Sequence, residues 1–239
     1  MSESRDDDCA LRGAVSLPFV LSLIAGSTDM IGFLGLNGLF TAHITGNLVV
    51  LAAHVINGDP AILSYLLAVP EFMLVLLLTR LFASWFERRG AATLRPLLLL
   101  ELLLLITFLV CCVSRGQRFD VNSGVAVTAG MFGVAAMAVQ TALVQISLAK
   151  APSTAVMTTN IAHFVLALGE VLAGGNEDAG ASARKRVIHI FPVIVGFALG
   201  CALGAVGQAA YGSWSLALPA GLALLAVVMS LRGDRKNVD

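Results

Sequence analysis

Two seven-residue stretches decide how this chain is read: Thr41-Ala42-His43-Ile44-Thr45-Gly46-Asn47 and Thr154-Ala155-Val156-Met157-Thr158-Thr159-Asn160. They agree as Thr-Ala-x-x-Thr-x-Asn at one spacing, and both are set in sequence that is otherwise apolar. The agreement extends upstream. Gly26-Ser27-Thr28-Asp29 precedes the first stretch much as Met137-Ala138-Val139-Gln140 precedes the second, with connections that differ by two residues. The chain carries two copies of one device.

What surrounds the copies sets the solvent. Eight apolar segments, at about 14–36, 41–56, 61–86, 94–113, 121–148, 155–172, 187–211 and 214–231, leave no stretch long enough for a soluble domain. A composition of 58% hydrophobic and 13% charged residues, with a mean hydropathy of +0.89, agrees with an all-α integral membrane protein. Arg5 and Arg12 ahead of an apolar run resemble a secretory leader, but the run continues past Asp29 and more spans follow, so it reads as a first span. Cys9, Cys111, Cys112 and Cys201 have no metal-ligand spacing, and no metal or cofactor is expected.

Charge placement then selects the topology, since cytoplasmic loops collect Lys and Arg. Eight full crossings from a cytoplasmic N-terminus would put the basic 87–95 loop outside. If one segment in each half enters and leaves by the same face, only Arg115 and Arg118 are outside, and thirteen of the fifteen basic residues are inside. The short second and matching sixth segments, which carry the Thr/Asn clusters, are the economical choice for re-entrant or broken half-helices. About six full transmembrane helices and two half-helices result, in a single domain over 1–239 with cytoplasmic tails at 1–13 and 232–239. Three crossings per unit invert the second copy, so repeat 1 (about 14–113) and repeat 2 (about 121–231) form an inverted repeat, the architecture of many transporters. Irregular backbone at membrane depth must be buried in protein or line a wet cavity, which implies a solute-accessible interior.

The chain also resembles a known family, the YoaK family, catalogued as domain of unknown function 1275 and found in bacterial and some fungal membranes. The resemblance rests on the Gly-x-x-Asp of Gly26 to Asp29, Phe33-Leu34-Gly35-Leu36, Gly38-Leu39-Phe40, Thr45-Gly46-Asn47, and the later Gln140 and Thr158-x-Asn160. It implies a membrane-protein fold for most of the chain and no settled activity.

A half-helix that begins inside the membrane points unpaired N–H groups and the positive end of its dipole inward, which favours an anionic or acceptor-rich solute. Thr45, Asn47, Thr158 and Asn160 supply uncharged donors and acceptors, Gly46 allows close backbone approach, and Gln140 and His43 complete the candidate substrate site. Ordinary capping of the helix ends is the competing explanation. Asp29, an acid about halfway along an apolar span, is the candidate coupling residue for a proton or sodium ion, with Glu71 beside it in that role. Glu101 interrupts a leucine run and is a further candidate to face the cavity. The Gly196, Gly200 and Gly204 stripe is a close-packing seam whose partner is either another helix of this chain or a second copy in a homo-oligomer.

The expected function is a small-solute secondary transporter of the inner membrane, multi-pass with both termini cytoplasmic, with a passive channel or a non-transporting scaffold as alternatives. The expected partners are the lipid bilayer and the solute, with no nucleic acid. Catalysis has only the weak His54-x-x-x-x-Asp59 spacing behind it, so no enzyme is expected. The topology predicts that a single cysteine at position 59 reacts with an impermeant thiol reagent in intact cells and that one at position 91 does not. The reverse pattern would restore eight crossings.

Overall fold

In hydrocarbon every backbone N–H and C=O must be bonded within the segment, so long runs of Leu, Val and Ala fold as helix and keep that form through Pro18, Pro70 and Pro192. The computed structural model describes residues 3–57, 62–114, 123–174 and 177–235, and all regular structure among them is helical. The helices are α1 (Glu3–Gly35), α2 (Ile44–Asn57), α3 (Ile62–Glu87), α4 (Leu94–Val113), α5 (Gly124–Ser147), α6 (Met157–Leu172), α7 (Glu177–Tyr211) and α8 (Ala217–Arg235). A 3-10 turn at Gly212–Leu216 joins the last two. Several of these helices are long and apolar enough to cross a bilayer, and the protein is a multi-pass membrane protein.

Five stretches reach spanning length and hydropathy. The fifth, Ala179–Arg232, runs through α7, the turn and α8, and it is folded back on itself. At the turn, Leu216 shares a small cavity with Phe108 and Cys112 near the end of α4, while at the far end of α8 the Ser230 carbonyl accepts from Arg95 Nη2 at 3.2 Å, near the start of α4. α8 is therefore antiparallel to α4. α2 and α6 have only 14 and 16 residues, about 21 and 24 Å, short of a hydrocarbon core of roughly 30 Å.

α1 and α5 form the centre of the bundle: 67% and 72% of their apolar windows are buried, against 17% for α3. They run antiparallel, because Gly130 packs on Leu36 and Leu39 near one end of the pair and Gln140 bonds to the Leu21 carbonyl further along. α1 packs on α7 and α5 on α3; α4 packs on α5 and α8 on α1; α2 packs on α3 and α6 on α7.

The α1 and α7 pair is held by backbone approach. Gly196 meets Phe19, Gly200 meets Leu23, Gly204 meets Ser27 and Ile31, and Gly26 of α1 meets Phe197. The glycine stripe of α7 is thus filled by α1 of the same chain, and a second copy using that face would have to displace it.

The sequence reading differs at the polar ends of helices. The expected loop at 174–186 is helix from Glu177 and the expected tail at 1–13 is helix from Glu3, because residues such as Ala, Arg and Lys extend a helix into water without an apolar stripe. The Gly58-Asp59-Pro60 turn, Asp59 of the His/Asp spacing, Arg115, Arg118, positions 175–176 and positions 236–239 lie outside the described residues. A Cβ at Gly200 would collide with the Leu23 carbonyl oxygen, whereas one at Gly221 would meet nothing within 4 Å. Gly200→Ala should therefore cost about 1–3 kcal/mol in thermal unfolding in detergent, and Gly221→Ala should leave the midpoint unchanged or slightly raised.

Candidate functional site

The chain leaves α1 through a tight turn at Asn37 and Gly38, both at positive φ, and residues 40–43 then run back along α1 to Asp29. Asp29 is 4% exposed and gathers that segment. Its Oδ1 accepts from Ala42 N–H at 2.7 Å and, at 3.4 Å each, from His43 N–H and the Thr41 hydroxyl. Oδ2 pairs with His43 Nδ1 at 2.6 Å, and the His43 ring is wedged edge-on between Phe40 and Phe197. Asn47, fully buried one turn into α2, accepts from Phe40 N–H at 2.9 Å and donates to Phe40 C=O at 2.7 Å. A single amide satisfies both backbone groups of a residue outside the helix. α2 then returns to the level of the turn it left, because His54 stacks on Tyr65, whose hydroxyl donates to the Asn37 carbonyl.

The second copy repeats part of this geometry, with Gln140 where the first has Asp29 and Val156 where it has His43. Gln140 takes the place of the acid, donating through Nε2 to Thr154 Oγ1 at 2.7 Å and to the Leu21 carbonyl at 2.9 Å. Asn160 Nδ2 donates to the Ser153 carbonyl at 2.5 Å, the same seven-residue reach as Asn47 to Phe40. Ser153 Oγ also accepts from Val156 N–H at 3.0 Å, which closes a turn just before α6. α6 returns to the level of its own loop: Phe164 stacks on Phe191, two residues from His189, which bonds to the Lys150 carbonyl. Farther out, Arg186 pairs with Glu170.

The two loops do not meet. Leu21, which receives Gln140, lies eight residues from Asp29 along α1, about 12 Å of helix, so the copies reach different depths. The expected residues separate accordingly. Asp29, His43 and Asn47 belong to the first loop, and Gln140 and Asn160 to the second. Thr45 and Thr158 are exposed on the outer faces of their helices, and Gly46 packs against the Phe40 ring. Glu71 joins neither loop; it borders a separate, mostly apolar cavity of about 430 Å3 with Leu78, Phe82 and Phe132. Sequence reasoning left out Thr154 and Ser153 as site members, although Thr154 is the first residue of the repeated pattern.

Beside the second loop is a cavity of about 210 Å3, lined by Thr141, Gln145, Ser153 and Thr154 among others. It ends at the residues that precede α6, where among the described residues the positive end of the helix dipole has no carboxylate beside it. At the corresponding start of α2 that position is taken by Asp29. Among the described residues no three His, Cys, Asp or Glu side chains are grouped to hold a metal ion.

The family model described as protein of unknown function (DUF1275) matches residues 17–229, a region that includes both loops. The chain belongs to the DUF1275 family. The curated proteins and the solved structures contain no match to it. In this DUF1275 protein, then, site and fold rest on the same few side chains. Asn47→Ala leaves the Phe40 N–H and C=O without their partner inside the bundle and should cost about 1–3 kcal/mol in detergent unfolding. Thr45→Val, at an exposed position, should stay within about 0.5 kcal/mol of the native chain.

Proposed function

We propose that this protein is a secondary transporter for a small anionic or acceptor-rich solute, and not an enzyme. The observation that carries the reading is the 210 Å3 cavity that ends at the start of α6, with Thr154 in its wall and Gln140 behind it. A helix N-terminus at the end of a cavity lined half by polar side chains attracts negative charge and hydrogen-bond acceptors, and among the described residues no fixed acid competes for it. Ser153, Thr154, Thr141 and Gln145 would supply the side-chain contacts.

The architecture we infer is six crossings (α1, α3, α4, α5, α7 and α8) with α2 and α6 as re-entrant half-helices, in two inverted copies over about 14–113 and 121–231. Three features support it: the antiparallel α1 and α5, the matched pairing of helices across the two halves, and the return of each short helix to the level of its own loop. Inverted copies give a transporter two related ways to close, one per face. The cavity lies at the end of the bundle that carries Arg88, Arg89, Arg95 and Lys150, because Thr93 just before α4 bonds Ser147 at the end of α5. Positive-inside bias makes that end cytoplasmic, with both termini on the same side of the inner membrane. On this reading the cavity opens inward, and the Asp29–His43 pair in the outer half is a coupling site. A scaffold is the second reading, favoured by Asn47 and Asn160 being spent on their own loops.

The test is in two parts. In a chain whose native cysteines are replaced, Gln145→Cys should react with an impermeant reagent only from the cytoplasmic face. A thermal-shift panel of inorganic anions, organic acids, nucleobases, amino acids and sugars should find a stabilising solute, by about 2.7 kcal/mol at 100 times its dissociation constant. That solute should protect the Gln145→Cys thiol, and its gradient-driven flux into proteoliposomes should fall at least tenfold in Thr154→Val. No stabilising solute and no flux would leave the scaffold reading.

A further inference from the structure

Along α4 the buried positions Leu97, Leu98, Glu101, Leu105, Phe108 and Cys112 form one stripe, and Glu101 is the one acid in it. Its side chain is fully buried, and neither carboxylate oxygen has a hydrogen-bond partner. Among the described residues one other buried side-chain atom is in that state, Gln140 Oε1.

The packing register puts these groups at one depth. α4 and α5 are antiparallel, joined at one end by the 2.8 Å bond between Thr93 and Ser147 and at the other by Phe108, whose ring would lie 2.9 Å from a Cβ on Gly133. Seven residues back from Phe108 is Glu101, and seven on from Gly133, or seven back from Ser147, is Gln140. Leu97, Leu98 and Leu105, one turn either side of Glu101, pack in the same cluster as Met137 of α5 and Leu21 of α1. Gln140 spends both Nε2 hydrogens, on Leu21 and on Thr154. Three buried oxygens therefore share one level with no donor for any of them, which a bundle in hydrocarbon does not tolerate. Asp29 differs: its oxygens accept from two backbone N–H groups and a hydroxyl and pair with an imidazole, so it is satisfied as a carboxylate.

Among the described residues no other charge offsets an ionised Glu101. α5 has no titratable side chain, α8 none from Ala217 to Ser230, and the 3-10 turn none. On α1 between Leu17 and Gly35 the one acid is Asp29, held by its own loop, and Arg95 of α4 lies at the helix start against Ser230.

We propose that Glu101 and Gln140 form a proton-binding site in the core of the bundle, with Glu101 held as a neutral acid whose O–H is donated to Gln140 Oε1, directly or through one water. The proton is exchanged with water of the cavity that borders Thr154, when Gln140 turns and lets that water past the residue it holds. An O–H bond forms on the carboxylate, and the same bond breaks when the proton returns to water. Loss of the proton leaves a carboxylate facing an amide oxygen. Gln140 relieves this only by turning its N–H groups toward Glu101, which takes them from Thr154 and loosens the second loop at the cavity. Each loop then has one acid behind it, Asp29 directly and Glu101 through Gln140. The use of this site in coupling rests on the transport reading above; its existence does not.

Infrared spectroscopy of the purified full chain tests it without any solute. At neutral pH the carbonyl stretch of a protonated carboxylic acid should be present, should shift on labelling with carboxyl-13C glutamate, and should be absent in Glu101→Gln. In Gln140→Leu it should move to higher frequency, as a carboxyl group does on losing its hydrogen-bond acceptor. No such band, a band indifferent to glutamate labelling, one that survives in Glu101→Gln, or one unmoved in Gln140→Leu overturns the proposal. The labelling arm uses the native chain, so it stands even if the variants misfold. Silent flux with the expected infrared result would count against transport alone, and active flux without the band would count against Glu101 alone.

Discussion

Backbone that is not helical and lies inside a bundle of apolar helices must find a partner for each N–H and C=O, and that constraint organises this structure. The loops before α2 and α6 meet it with side chains supplied from two places. One polar residue of the preceding long helix, Asp29 or Gln140, holds the loop from the bundle side. An asparagine one turn into the short helix, Asn47 or Asn160, reaches back seven residues to the loop backbone. With both in place a short helix can begin inside the bundle. The remaining helices are arranged to bury these two attachments, which is why α1 and α5, the helices that carry Asp29 and Gln140, are the most enclosed.

The two attachments are built alike but differ in charge. In the first, a carboxylate occupies the positive end of α2 and takes an imidazole as well, so the local field is already satisfied. In the second, an amide donates to a threonine hydroxyl and leaves the positive end of α6 open to the cavity. On the transport reading proposed above, a solute with acceptor oxygens goes to the second and not to the first. The same substitution leaves Gln140 Oε1 unpartnered and makes room for an acid from α4 to serve the second loop.

Close approach of backbones makes this economy possible. Side chains at Gly196, Gly200 and Gly204 would collide with α1, so their absence lets α7 lie directly on it, and Gly130 and Gly133 let α5 accept Leu39, Phe108 and Thr41. The Thr41 methyl group would lie 2.9 Å from a Cβ at Gly133, so the smooth face of α5 is also what admits the first loop into the bundle.

The helical class, the membrane setting and the family were legible in the sequence because they depend on apolar run length and on short motifs, which one-dimensional spacing preserves. The repeated Thr-Ala-x-x-Thr-x-Asn pattern likewise marked both loops, since each attachment is made within twenty residues of chain. The roles inside the pattern were not legible. Asn47 and Asn160 are committed to their own backbones, Thr45 and Thr158 face outward, and Thr154 is the residue that meets the cavity, because which way each side chain points is set by the helix it packs against. The partner of the glycine stripe and the level match of Glu101 with Gln140 join residues far apart in sequence. Only the packing of α1 on α7 and of α4 on α5 decided them, because sequence spacing fixes which residues share a helix face and tertiary contact alone fixes what that face meets.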